Sequence, residues 1–506
     1  MRTADEVAAL SGWHAQWAGL RVAVLGLGVT GFSVADTLVE LGATTLVLAS
    51  RADDAMAELV SVTEARLVVA DLESEPVDDL VDFAPDLVVV SPGFAPRHPL
   101  VDWATRHGIP VWGDIELAWR LRDRSGTPAR WLAVTGTNGK TTTVQLTAAM
   151  IAASGLRVAD CGNVGVPVLD AIRDSEGFDV LVLELSSFQL HYTHAISPHS
   201  SVCLNVAADH LDWHGSAEAY RAAKARVYEN TTVACVFNRD DETTRAMVDG
   251  ADVVEGARAI GFGLGVPGPG ELGIVDGILC DRAFLADRQR SAIELTTLAD
   301  LAEVGLAAEH MVANVLAACA LARSVGVEPA AIRAALRRFR LDHHRTETVA
   351  SRDGVRWVDD SKATNPHAAE AALVSFDSVV WIVGGLLKGV QIDDLVSRQA
   401  ARLRAVVVIG LEREPVLAAF ARHARHVPVF EVVTLDTKEV MPTAVRLSAA
   451  AAERGDVVLL APAAASMDQF SNYADRGRRF TAAVHEMLGD EADDDQPSAP
   501  ASAPDR

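Results

Sequence analysis

The chain has 506 residues, with 45 Lys and Arg against 69 Asp and Glu, a formal net charge of −24. That length suits about three domains of ordinary size, and a 49% hydrophobic composition can fill their cores without disulfide or metal staples. The acidity argues against broad nucleic-acid binding and against an anionic membrane surface, both of which need Lys and Arg. It leaves room for a small anionic substrate held by local loops.

The five cysteines, Cys161, Cys203, Cys235, Cys280 and Cys319, form no CxxC and are odd in number. Most sit in apolar stretches and read as small buried hydrophobes. The stretch MRTADEVAALSGWHAQWAG has no export-type cleavage pattern. No run approaches the ~18–20 apolar residues needed to span a bilayer. A cytoplasmic protein without membrane insertion, acting as a monomer, is expected.

In chain order, one theme recurs at long spacing: an apolar, β-branched run, a Gly-rich turn, then an Ala/Leu-rich helical pattern. This implies βαβ units and mainly parallel sheets. The first instance is RVAVL (21–25), followed by Gly26-x-Gly28-x-x-Gly31 and VADTLVEL (34–41). Spacing and context match a dinucleotide fingerprint. The second strand, however, ends in Ala49-Ser50-Arg51, where an acidic residue would hold a ribose hydroxyl. That departure weakens a nicotinamide reading, and Arg51 is available to a phosphate. The turn reads either as backbone N–H groups offered to a diphosphate or as a device for tight strand–helix packing. A second strand and loop, LVVVSPGF (87–94), closes this block near residue 112.

The strongest local signal follows WLAV: Thr135-Gly136-Thr137-Asn138-Gly139-Lys140-Thr141-Thr142, before the helical pattern TVQLTAAMIAAS (143–154). Its glycines let backbone N–H groups converge on phosphate oxygens, and the helix start adds partial positive charge. Lys140 offers a full charge to phosphates and the Thr141 hydroxyl can meet Mg²⁺. Val134 stands where the general pattern has Gly, so the loop is a variant. Metal-bound ATP also needs a carboxylate, and LVLELSSFQL (181–190) supplies Glu184 at a strand end, followed by Ser186, Ser187 and Gln189. Asn205, Asp209, His210 and Asp212 follow a further strand. By itself His210 reads equally as a metal ligand or as a satisfied loop histidine. The Gly/Pro-rich stretch GFGLGVPGPGELG (261–273) reads as loop or hairpin. From about residue 341 the theme returns with VVWIVGG (379–385) and VVVIG (406–410), and a helix ends near Leu488. The last 17 residues hold six acidic residues and one basic, a disordered tail by composition.

Eight motifs in this order resemble the Mur ligases: TGTNGKTT (135–142), LELSSFQL (183–190), DHLDWHG (209–215), YRAAKARVYEN (220–230), EHMVANVLAA (309–318), HHR (343–345), DDSKATNP (359–366) and SMDQFSNYADRGRRF (466–480). The resemblance covers nearly the whole chain to about residue 488. It implies an α/β fold of three domains. These are an N-terminal Rossmann-like UDP-sugar domain (1–112), a central P-loop ATP-binding parallel sheet (113–340) and a C-terminal Rossmann-like amino-acid-binding domain (341–488), before the acidic tail (489–506). It also implies the reaction. ATP phosphorylates the carboxylate of UDP-N-acetylmuramoyl-L-alanine. The amine of D-glutamate then attacks the acyl phosphate, giving an amide, ADP and phosphate in peptidoglycan precursor synthesis.

The resemblance further assigns residues. Gly136, Thr137, Asn138, Gly139, Lys140, Thr141 and Thr142 hold ATP, with Asn314 at the adenine and Arg345 and Asp360 at the phosphates and ribose. Thr141 and Glu184 bind one Mg²⁺, His210 matches a second Mg²⁺ position, and Lys224 is a further metal ligand once carbamylated. Lys224 matches a lysine carbamylated in such ligases; read alone, it is a solvated helix lysine. The UDP-sugar strip is Val29, Thr30, Gly31, Arg51, Ser91, Gly93, Asn163, Ser186 and Gln189, with Ala49 standing where family members can carry Asp. Lys362, Thr364, Lys388, Ser466, Met467 and Tyr473 match the D-glutamate site. Four other readings stay open. A sibling Mur ligase would take L-lysine or diaminopimelate in place of D-glutamate. A folate-polyglutamylating ligase lacks the N-terminal block. An NAD(P)-dependent oxidoreductase leaves 135–142 unexplained. A nucleotide-binding scaffold would show no turnover, whereas in the ligase replacing Lys140 or Glu184 by Ala should abolish turnover with little loss of fold.

Overall fold

A computed structural model describes residues 2–52, 54–74, 76–434 and 436–489. The acidic tail expected to be disordered lies, beyond Gly489, outside the described residues. The chain divides into two compact units. One is the chain up to Ala208 together with Trp213–Arg340; the other is Asp209–Asp212 together with the chain from Leu341.

The first unit carries two sheets. The Val- and Leu-rich runs β1 (Arg21–Leu25), β2 (Thr44–Ala49), β3 (Arg66–Val69), β4 (Leu87–Val90) and β5 (Val111–Gly113) pair in the order β3-β2-β1-β4-β5, all parallel. Near-continuous apolar sequence suits strands covered on both faces. The strand order reverses between β1 and β4, so the loops after these strands diverge to open the crevice where such sheets take ligands. The Gly26–Gly31 turn follows β1 and Ser91 follows β4. The helix after β1 spans Val29–Glu40, starting ahead of its apolar pattern. A Cβ on Gly31 would lie 2.1 Å from the Gly26 carbonyl oxygen, so this residue lets the helix start directly over the turn.

The second sheet orders nine strands as β14-β13-β12-β11-β10-β9-β6-β8-β7. They are β6 (Arg130–Thr135), β7 (Val158–Gly162), β8 (Val180–Glu184), β9 (Ser200–Cys203), β10 (Ala234–Asn238), β11 (Arg258–Phe262), β12 (Glu271–Val275), β13 (Ile278–Asp281) and β14 (Ile293–Thr297). Pairing is parallel from β7 to β12 and antiparallel through β12–β13–β14. The Gly/Pro-rich stretch ends β11, loops, and begins β12. β6 lies between β8 and β9, so its phosphate loop is flanked by the ends of both.

The second unit holds β15 (Glu347–Arg352), β16 (Val355–Asp359), β17 (Val379–Gly384), β18 (Leu403–Ile409), β19 (Val429–Glu431) and β20 (Val457–Leu460), ordered β15-β16-β20-β17-β18-β19. Among the described residues, only β15 is antiparallel to its neighbour. Apolar clusters cover both faces of this sheet. All five cysteines are buried and free. Among the described residues, no helix is long and apolar enough to cross a membrane.

Candidate active site

Thr135 ends β6, and the backbone then turns through Gly136 (φ +151°) and Gly139 (φ +83°) into the helix Lys140–Ala153. Asn205, just past β9, clamps this loop. Its carbonyl accepts from Thr137 N (3.0 Å), its side-chain oxygen accepts from Asn138 N (2.9 Å), and its Nδ2 donates to the Asn138 carbonyl (3.1 Å). The Thr137 hydroxyl accepts from Ala207 N at 2.9 Å and lies 3.0 Å from the Tyr220 hydroxyl. Lys140 Nζ donates to the Gly136 and Thr137 carbonyls, both at 2.9 Å, so the cation is coiled back over its own loop. Asn314, on the helix Glu309–Ser324, packs against Gly139: a Cβ there would lie 2.4 Å from its Oδ1. Thr141 and Thr142 are buried at the helix start. The predicted ATP residues of this unit thus share one turn and its immediate surround.

Glu184 ends β8 directly opposite Val134 in β6. It is 2% exposed. Asn163 Nδ2 donates to its Oε1 at 2.9 Å, while its Oε2 has no protein partner among the described residues. The Thr142 hydroxyl is buried and likewise without one. Burying a carboxylate oxygen unpaired is costly. Carboxylate and hydroxyl oxygens beside a phosphate loop are the hard donors that Mg²⁺ takes, with substrate phosphate and water completing its shell. Among the described residues, no group of three or more His, Cys, Asp and Glu could alone hold a metal. The donors present therefore fit an ion shared with phosphate rather than a closed protein cage.

Lys224 departs from the solvated-helix reading. It lies on the helix Ala217–Ala225 yet is 2% exposed. Its Nζ donates to the Gly136 carbonyl at 2.8 Å and sits 4.8 Å from the Tyr220 ring centre. The amine therefore lies at the root of the phosphate loop.

Of the UDP-sugar strip, Ser91 Oγ is buried without a protein partner among the described residues, 2.7 Å from where a Gly26 Cβ would be. Gly93 accepts from Trp213 Nε1 at 3.2 Å. Val29 (61%) and Arg51 are exposed, and Ala49 is buried. Ser186 caps the helix Ser187–His191 with Gln189 in a reciprocal capping box. Sequence reading missed Asp114, whose Oδ2 accepts from Gln189 Nε2 at 3.0 Å. Burial pushes its carboxyl up to about 6. In sequence it is merely an acidic residue at a helix start, where such residues are stabilising. Asn205, named only as following a strand, and Tyr220, inside a quoted motif, likewise carried no role.

In the second unit, Lys388 Nζ pairs with Asp209 Oδ1 at 2.5 Å, and Asn365 Nδ2 donates to Asp209 Oδ2 at 3.4 Å. His210, at φ +53°, keeps Nε2 3.6 Å from the same carboxylate. Lys362 Nζ lies 3.8 Å from the centre of the Tyr473 ring, a cation–π contact. Ser466 is buried, Thr364 N donates to the Lys362 carbonyl, and Met467 is 72% exposed. Arg476 is fully buried and ties the two motifs together, donating to the Ser361 hydroxyl and carbonyl and to the Ala464 carbonyl. Asp360 accepts from Thr346 N at 3.2 Å; desolvation pushes its carboxyl up to about 7 despite the nearby Arg345.

Family models match three successive stretches: "Mur ligase MurD-like, N-terminal domain" over residues 20–113, "Mur ligase middle domain" over 134–322 and "Mur ligase, glutamate ligase domain" over 344–464. The UDP-N-acetylmuramoylalanine--D-glutamate ligase of Leifsonia xyli subsp. xyli is 64% identical over 502 residues, covering 97% of this chain and 97% of its own. The protein of that name from Streptomyces avermitilis is 51% identical, covering 92% and 98%. Among solved structures, the murein peptide ligase mpl of Psychrobacter arcticus aligns over 92% of this chain and 99% of its own, with a TM-score of 0.55 and 15% identity, a likeness of fold. With identity this high over nearly its whole length, the chain belongs to the Mur ligase family.

Proposed function

We propose that this chain is an ATP-dependent ligase that joins D-glutamate to UDP-N-acetylmuramoyl-L-alanine through an acyl phosphate, as a cytoplasmic monomer supplying peptidoglycan precursors. Relatives carrying that activity in their names, at 64% and 51% identity, support the substrate pair. The observation that carries the chemistry is the pairing of the phosphate loop with Glu184, a buried carboxylate with one oxygen unpartnered, at the end of the neighbouring strand.

A carboxylate resists attack by an amine, and phosphorylation turns one of its oxygens into a leaving group. The loop N–H groups and Lys140 hold the ATP phosphates, and Lys140 exchanges its two carbonyl partners for phosphate oxygens. Asn205 and Tyr220 keep the loop in its receiving shape, so little reorganisation is needed when charge moves. Thr141 and Glu184 would hold one Mg²⁺, His210 would serve a second, and Lys224, once carbamylated, would offer a further anionic metal ligand. When bound, the ions neutralise the migrating phosphoryl group and the tetrahedral oxyanion. Asn314 faces the adenine; Arg345 and Asp360 serve the phosphates and ribose. Val29, Thr30, Gly31, Arg51, Ser91, Gly93, Asn163, Ser186 and Gln189 hold the UDP-sugar. Lys362, Thr364, Lys388, Ser466, Met467 and Tyr473 receive D-glutamate, whose two carboxylates call for cations and hydroxyls. These roles fall into domains spanning 1–112, 113–340 and 341–488.

Purified protein should release phosphate only when ATP, UDP-N-acetylmuramoyl-L-alanine and D-glutamate are all present. Equal release with L-lysine or diaminopimelate replacing D-glutamate would overturn the assignment.

A further inference from the structure

Asp114 is 4% exposed and opens the helix Asp114–Leu121 directly after β5. β5 meets the helix Ser187–His191 so closely that a Cβ on Gly113 would lie 3.2 Å from Tyr192 Cβ. At this contact Asp114 Oδ2 accepts from Gln189 Nε2 at 3.0 Å. The other end of the same amide faces Ser186. Gln189 Oε1 accepts from Ser186 N (3.1 Å) and from its hydroxyl (3.2 Å), while Ser186 Oγ accepts from Gln189 N (3.1 Å). Gln189 is 2% exposed, so no bulk water compensates a wrong orientation.

A glutamine amide has two ends of nearly equal shape and opposite hydrogen-bonding sense. Flipped, it would set its NH₂ against the Ser186 N–H, donor against donor. An ionised carboxylate only accepts, so Asp114 admits one orientation. We propose that Asp114 is a positioning residue for the UDP-sugar site: it locks the Gln189 amide and, through it, the Ser186 turn that follows Glu184. It acts through Gln189 and touches no substrate. The inference rests on the ligase reading above and names a residue that reading does not use.

The test is a polarity swap in the full-length protein, with KM for UDP-N-acetylmuramoyl-L-alanine and for ATP measured separately. Asp114→Ala should raise the UDP-sugar KM about 10-fold and leave the ATP KM within about twofold. Gln189→Glu places a second acceptor opposite Asp114 and should do the same. Combining it with Asp114→Asn restores a donor–acceptor pair of reversed sense. The double variant should return to within about threefold of wild type. A double variant no better than Gln189→Glu alone would overturn the proposal. So would an Asp114→Ala protein whose UDP-sugar KM is unchanged, or whose two KM values rise together. If Asp114→Ala does not fold, the Gln189→Glu pair decides alone. Wild-type turnover is measured first: its absence would reject the ligase reading, whereas its presence with a failed swap rejects only the role of Asp114.

Discussion

Glu184 offers the sharpest residue-scale experiment. Gln is nearly isosteric and keeps an oxygen for Asn163, so Glu184→Gln removes charge while preserving shape. Phosphate release should fall by ~10²–10³-fold, the usual scale for losing one preorganised electrostatic group, with little change in melting temperature. Activity within tenfold of wild type would remove Glu184 from the metal site. Asp114 offers a pH experiment. Burial holds its carboxyl at about 6 in the folded chain against 3.8 for the free group. A raised folded pKa means that the group favours folding most at low pH and loses that advantage as pH rises toward 6. Wild type should therefore weaken relative to Asp114→Asn by about 2 kcal/mol between pH 4 and pH 7. Thermal melts of both proteins across that range would show it; parallel curves would mean that Asp114 titrates normally.

At the scale of the element, the phosphate loop depends on two glycine conformations, both crowded and Gly139 the more severely. Gly139 has φ +83°, and any Cβ there meets Asn314 Oδ1 at 2.4 Å. Gly155, past the other end of the same helix, has φ +89° with nothing within 4 Å of its Cβ position. Gly155→Ala should therefore cost only the left-handed strain, about 1 kcal/mol, and leave ATP affinity alone. Gly139→Ala adds the clash and should weaken ATP binding at least ~10-fold, read by calorimetry with a non-hydrolysable analogue. Equal affinities in the two variants would show that the Asn314 contact does not shape the loop. The loop itself was legible in the sequence because strand, glycines, lysine and helix lie within a dozen residues. The surroundings of Lys224 were not. It is 2% exposed and donates to the Gly136 carbonyl, 88 residues away, whereas helical periodicity alone leaves it on a polar face. Asp114 hid for the same reason: its partner is 75 residues distant. The family motifs singled out Lys224. They passed over Asp114, which belongs to none of the quoted motifs.

At the scale of the whole molecule, the recurrent strand–turn–helix theme announced largely parallel sheets. The antiparallel turns of β12–β14 escaped it, because a Gly/Pro run specifies a break and not the direction of the next strand. The charge balance poses a different question. ATP, the UDP-sugar and D-glutamate are all anions, and they approach a chain of net charge −24. The groups proposed to receive them sit at a glycine loop, helix starts and a few lysines, where contact would be short and partly shielded from solvent. Long-range repulsion and short-range attraction therefore respond differently to salt. The Debye length shrinks from about 30 Å at 0.01 M to about 8 Å at 0.15 M, which screens the former first. With free Mg²⁺ held constant, the UDP-sugar KM should fall at least ~2-fold over that range, opposite to a protein that steers anions in through a basic surface. Removing residues 490–506, which carry six acidic residues and one basic, takes away a net −5. In that truncated protein the fall should be smaller, while the KM at 0.15 M stays unchanged. A KM that rises steadily with salt in the full chain would mean that the local positive field of the site reaches beyond the acidic surface and governs capture.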